Sequence, residues 1–316
     1  MTTEACPIRN HSQYPYLAWV MMIVSLLGTS LVNSQIPELG SLTIIYNRNA
    51  LHPQVKTIYA DIINGIRRGY ADNGPVLEIT DGVPDVVSAD AVVVLGNTVV
   101  REALAADMDK PMVVGAVSWN VDAVYGVRII PDPALVFENL RALVPAVNNI
   151  YIVVDANSRL LNPDYLVAAA KGYGIKAIIK QASDIKEAAS IYAQLAKKMQ
   201  SQDALWIPPG DRFVNKTLLS TLLIKSWKSY FAVISSNPYH VSKGALFAVS
   251  PDYYLMGKRL GELAQQVSDN PMLPPSMQPV RDVILNVNQR MANHMGVKIQ
   301  IDEGPSENKT IQIQVQ

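Results

Sequence analysis

The sequence predicts an α/β fold made of two lobes, each a largely parallel sheet covered by helices. Three observations carry that expectation. From residue 41 onward, short runs rich in Val and Ile alternate with stretches of helical periodicity. The runs are continuously apolar rather than alternating, as strands buried on both faces of a parallel sheet require. The pattern also restarts at "RALVPAVNNIYIVVD", near Val147, so two sheets fit better than one open sheet.

The strand candidates follow in order. They are "SLTIIY" (41–46), "DAVVVLG" (90–96), "PMVVGAV" (111–117), "IYIVVD" (150–155), "KAIIK" (176–180), "ALWIP" (204–208), "YFAVIS" (230–235), "ALFAV" (245–249) and "DVILNV" (282–287). Helical patterns lie at 53–71, 99–107, 133–144, 163–174, 184–199, 214–227, 252–267 and 287–297. Asp or Asn often stands where an N-cap belongs, and Gly174 and Gly296 stand where C-caps belong. The tail "SENKTIQIQVQ" reads equally as an added edge strand or a frayed end.

Composition narrows the function classes. Of 316 residues, 49% are hydrophobic and 17% charged, which fits a large buried core. Lys plus Arg (27) balances Asp plus Glu (27), so no basic face for nucleic acid is expected. Cys6 is the one cysteine, and the four histidines are widely spaced. No disulfide framework, thiol chemistry or dedicated metal site is expected from them. Tyr16 to Val32 is uncharged and apolar, follows a polar start with Arg9, and precedes "NSQIPELG". Residues 1–34 read as an export signal with cleavage after Ser34, or as a retained membrane anchor. Either places the rest of the chain in the periplasm.

Ligands of open parallel sheets lie beyond the carboxyl ends of the strands. The residues there are mostly neutral hydrogen-bonding groups, which suits a small polar ligand. The candidates are Asn97, Thr98, Asn157, Ser158, Asp211, Asp252 and Tyr253, joined by Asn49, His52, Ser118 and Ser236. Many of them also stand where a helix cap would. No GxGxxG opens a helix after the first strand, and neither a P-loop nor a GxSxG elbow occurs. The expectation is therefore recognition without catalysis: no enzyme, no cofactor and no metal.

Three stretches carry a family resemblance. They are "GALFAVSPDYYLMGKRLGELAQQV", "DVILNVNQRMANHMGVKI" and "SQDALWIPPGDRFVNKTLL", with "LRALVPAVNNIYIVVDANS" fitting the start of a second lobe. In this order they resemble ABC-transporter substrate-binding proteins, in the family with tryptophan- and other aromatic-amino-acid-binding members. The likeness spans about residues 111–300. It implies a type I periplasmic-binding-protein fold with a ligand cleft closed by a hinge. Lobe one would hold 41–145 plus 246–280, lobe two 146–245 plus 281–301, and 302–316 would be a tail.

The resemblance implies a monomer that captures a small polar metabolite, such as an amino acid, and delivers it to an ABC permease or another inner-membrane partner. Two departures stand out. Only "TDGVPDVV" separates "GYADNGPVLEI" from "SADAVVVLG", where the family usually has a further strand-helix unit. "SWNVDAV" replaces the family's Asp-Pro motif after the third strand. The shortened first lobe motivates an alternative, a membrane-tethered or periplasmic sensor or accessory protein of an envelope complex that keeps the binding fold without delivering solute.

Overall fold

A computed structural model of the chain describes residues 41–49, 51–70, 74–84, 89–106, 108, 110–298 and 311–315. The expected leader, with Cys6, lies outside the described residues. Among the described residues no helix is long and apolar enough to cross a membrane.

The first sheet has six strands, all parallel, in the order β11-β5-β4-β3-β1-β2. They are β1 (Leu42–Ile45), β2 (Val76–Ile79), β3 (Ala91–Leu95), β4 (Met112–Val117), β5 (Tyr125–Pro131) and β11 (Met277–Val280). Every residue of β1 and β3 is buried, so these strands form the centre. One face carries α1 (Pro53–Gly69) and α8 (Tyr253–Asp269), whose Ile62, Ile66, Met256 and Leu260 share a core with Leu42, Val93 and Val113. The other face carries α2 (Asn97–Ala105) through Val99, Val100 and Ala103.

The α1–α8 contact is backbone against backbone. A Cβ on Gly257 would fall 2.0 Å from the carbonyl oxygen of Ile62, and one on Gly65 2.0 Å from that of Tyr254. No side chain fits at either point, which accounts for glycine inside two helices where it costs about 1 kcal/mol of helix propensity.

The second sheet has seven strands in the order β13-β12-β10-β9-β8-β6-β7. They are β6 (Asn149–Asp155), β7 (Lys176–Ala182), β8 (Asp203–Ile207), β9 (Ala232–Ser235), β10 (Phe247–Pro251), β12 (Val283–Val287) and β13 (Ile311–Val315). Only β10 and β12 run antiparallel; β13 adds a parallel edge strand beside β12. α3 (Pro133–Leu143), α4 (Pro163–Gly172) and α9 (Gln289–His294) cover one face around Phe137, Trp206 and Phe247. α5 (Ile185–Lys198) and α6 (Lys216–Ser229) cover the other around Tyr192, Leu205 and Phe231. The short α7 (Pro238–Lys243) follows β9.

Three segments cross between the sheets: β5 to α3, β10 to α8, and β11 to β12. These crossings move the expected lobe boundaries. α3 packs its Leu135, Phe137 and Leu140 into the second core, and β10 pairs with β9 and β12. Residues 133–145 and 247–251 thus belong with the second sheet, although the sequence placed them with the first. An apolar strand or helix says that it is buried, and not against which sheet.

Candidate functional site

Each crossing carries a buried aspartate. Asp132 caps α3 by accepting from the Ala134 N–H (3.0 Å), and Asp252 caps α8 by accepting from the Leu255 N–H (2.9 Å). Asp282 accepts from both the Nε and Nη2 groups of Arg259. Backbone bonds tie the crossings together, from the Asp132 N–H to the Val280 carbonyl and from the Asp252 N–H to the Asp282 carbonyl. Asp132 accepts two further bonds, from the Tyr165 hydroxyl (2.7 Å) and from Arg281 (2.7 Å). A carboxylate with three donors is anchored, so Asp132 ties the start of α3 to α4 and to the β11–β12 crossing. Burial and the bond to Asp132 push the Tyr165 phenol up to about 12.

Beside Asp132 a cavity of about 370 Å³ opens between the lobes. Asn120, Arg128 and Ile130 line it from the first lobe; Leu161, Asn162 and Tyr165 line it from the second. Asn120 follows the carboxyl end of β4, and Leu161 and Asn162 lie in the loop after the carboxyl end of β6. The cavity thus touches, in each lobe, one loop that follows the carboxyl end of a strand.

Arg128 is the unusual group there. Its Nε is buried and has no hydrogen-bond partner among the described residues. Burial holds its guanidinium below the ordinary arginine range, partly offset by the nearby Asp132 carboxylate and Tyr165. The sheet is irregular on both sides of it. In β4, Gly115 pairs with Val127 and Val117 with Arg128, so Ala116 bulges out, with φ of 54°. In β11, Pro279 stands opposite Arg128 and the register slips at the next residue. Bulges of this kind re-aim side chains and concentrate near functional sites.

The expected site residues fall elsewhere around the strand ends. Asn97 and Ser118 are brought together: the Ser118 N–H donates to Asn97 Oδ1 at 3.1 Å. They lie at the ends of β3 and β4, and the neighbouring Thr98 is exposed. Ser158 and Asp211 line a small hollow of the second lobe between Asp155 and Pro208. Asp211 is engaged within the fold, accepting from the Tyr192 hydroxyl (3.0 Å) and from the Phe213 and Val214 N–H groups. Asn157 is exposed on the turn after β6, where its N–H donates to Asp155 Oδ1. Arg212 pairs with Asp155 at 2.6 Å and holds its carboxyl below the usual range.

Ser236 accepts from the Trp206 indole N–H at 3.2 Å. Asn49 donates to Asp81 at 2.9 Å, and the His52 carbonyl starts α1. Tyr253 packs half-buried against the first-lobe core, while Tyr254 is exposed. Sequence reasoning missed Arg128 and Tyr165. The available signal for the first was a lone charge inside the apolar run "GVRIIP" just before a crossing.

No protein-family model matches the chain, and no curated protein sequence matches it. Solved structures do. The ligand-free, open form of CD0873, a substrate-binding protein with adhesive properties from Clostridium difficile, is 17% identical. The likeness covers 87% of this chain and 99% of that one, with a TM-score of 0.62. An ABC domain in complex with L-Trp from Streptococcus pneumonia is 18% identical over 83% of this chain and 96% of that one, with a TM-score of 0.53. A XylFII–LytSN complex matches at 14% identity over 78% and 97%, with a TM-score of 0.55. What these likenesses establish is a fold: two α/β lobes linked by crossings, of the kind that periplasmic and other substrate-binding proteins use.

Proposed function

We propose that the protein is an exported solute-binding component of an ABC-type uptake system. It captures a small polar metabolite between its lobes, closes about the three crossings, and presents the closed form to a membrane permease. The cavity lined by both lobes beside Asp132 carries this reading, because a ligand held there touches both walls at once. Such a ligand favours the closed arrangement by its differential affinity for it. The choice of an amino acid as ligand class draws on the similar structure that holds L-Trp.

A thermal-shift screen with the twenty common L-amino acids and related metabolites at millimolar concentration tests the reading. A ligand bound only by the folded protein raises the melting temperature, by RT ln(1 + [L]/Kd) in free energy. At a concentration about 100 times Kd this is about 2.7 kcal/mol, or a shift of roughly 5–10 °C for a protein of this size. Unchanged melting with every compound contradicts solute capture.

A second reading, a binding-fold sensor or accessory protein of an envelope complex, draws on the short connection from β2 to β3. Among the described residues of 80–90 there is no helix. Adjacent genes for a permease and an ATPase favour uptake over this alternative.

A further inference from the structure

Arg128 poses a question that solute capture in general does not answer. A half-buried guanidinium whose Nε meets no acceptor among the described residues costs free energy in the absence of a ligand. The chain also bulges Ala116 into a positive-φ conformation opposite it and places Pro279, which has no N–H, on its other side. Both features recur in proteins as the cost of a functional group held in place.

The charges around the cavity do not balance. Asp132 is matched by Arg281 at 2.7 Å and by the Tyr165 hydroxyl, which donates to it at 2.7 Å. Arg128 is in none of the salt bridges among the described residues and shares the attraction of Asp132, so two guanidinium groups face one carboxylate and one positive charge remains. Asn162 turns its Oδ1 to the N–H groups of Asp164 and Tyr165 and so cannot offer it as a competing acceptor.

We propose that Arg128 is the carboxylate receptor of the cleft. The ligand is a small monocarboxylate, its acid group held on the Arg128 guanidinium and its remainder against Ile130, Leu161 and Tyr165. A planar guanidinium matches a carboxylate with two parallel bonds, which fixes orientation as well as charge. One excess positive charge suits a single negative charge better than the double charge of a phosphate. A cavity of about 370 Å³ falls at the small end of ordinary ligand sites. Because Arg128 stands on the first lobe and Tyr165 on the second, the same contact draws the lobes together. This inference rests on the solute-capture reading and specifies its chemistry.

The test uses the full chain, with the twenty common amino acids, the corresponding monocarboxylates lacking the amino group, and the carboxamide of each as probes, and calorimetric titration of those that raise the melting temperature. The expected result is an acid that binds while its carboxamide binds at least 100-fold more weakly. Arg128→Met then loses the acid by about 100-fold, and Arg128→Lys by less. The ligand-free melting temperature of Arg128→Met stays level or rises, since a half-buried charge that Asp132 only partly offsets has been removed. A purely structural arginine would instead melt lower when replaced. Equal affinity for acid and carboxamide, or wild-type affinity in Arg128→Met, overturns the proposal and leaves solute capture standing. Binding of none of these probes by the wild-type chain overturns the proposal, and solute capture falls with it only when the wider metabolite screen is silent as well.

Discussion

His240 and Asp211 show how polar side chains near the strand ends of the second lobe are spent on holding that lobe together. His240 Nδ1 lies 2.8 Å from the Ser235 hydroxyl, and the ring is partly buried. Burial lowers its pKa, with Asp211 pulling weakly the other way. The imidazole is therefore neutral in the fold at a pH where the unfolded chain takes up a proton. Its contribution is fully present above about pH 6.5 and is lost as pH falls toward the lowered folded value. Urea unfolding measured stepwise below pH 6.5 should show stability declining, and His240→Gln should remove part of that decline. An unchanged slope in the variant would assign the acid sensitivity to other groups. Asp211 illustrates what was legible in the sequence at this scale and what was not. Its position after β8 was readable, but not the three donors that satisfy it within the second lobe. Polar residue types at strand ends mark where a cleft lies, whereas the free valences left for a ligand depend on partners distant in sequence. Arg128 is the converse case, a residue with no motif around it whose isolation emerges only when β4 and β11 flank it.

Elements were legible wherever burial wrote a clear pattern. All nine expected strands form, and so do the eight expected helices, because continuous Val/Ile runs and amphipathic stretches each have one stable use in a covered parallel sheet. Three strands were not foreseen. β2 is four residues at an edge with Leu77 and Glu78 exposed, so it carries no apolar run. β5 is interrupted by Gly126 and Arg128, and β11 contains Pro279. Tertiary pairing imposes these strands against weak local signals. The pairing of α1 with α8 was equally silent, although its cause is visible in retrospect as paired glycines. Gly257→Ala puts a methyl group on the Ile62 carbonyl. Backbone cannot yield as a side-chain tip does, so the variant should lose about 3 kcal/mol, at the upper end for overpacking, in a denaturant titration. A loss below about 0.5 kcal/mol would mean that the two helices separate without cost and do not fix the first lobe.

At the scale of the molecule, the chain order determines which pieces pack together. The three crossings split the described residues into two bodies that each carry their own cores. The first body takes β1 to β5, α8 and β11; the second takes α3 to β10, β12 and β13. Pro131–Asp132 and Pro251–Asp252 are the switch points, which explains the Asp-Tyr-Tyr stretch after β10. Asp252 caps the helix that returns to the first lobe, and Tyr253 packs on the core it returns to. The two-lobe architecture was visible in the sequence because each sheet has its own strand run. The switch points were displaced because proline and aspartate at a strand end look alike whether the next helix folds back or crosses over.

The central claim is that a ligand draws these bodies together. The most direct measurement is the distance between spin labels on Thr98→Cys and Asn157→Cys, in a chain with Cys6→Ser. Both label positions are exposed and each follows a strand end of its own lobe. In the presence of the L-amino acid that raises the melting temperature most, the account predicts a shorter and narrower distance distribution than in the free protein. A distribution unchanged at saturating ligand would contradict closure between the lobes.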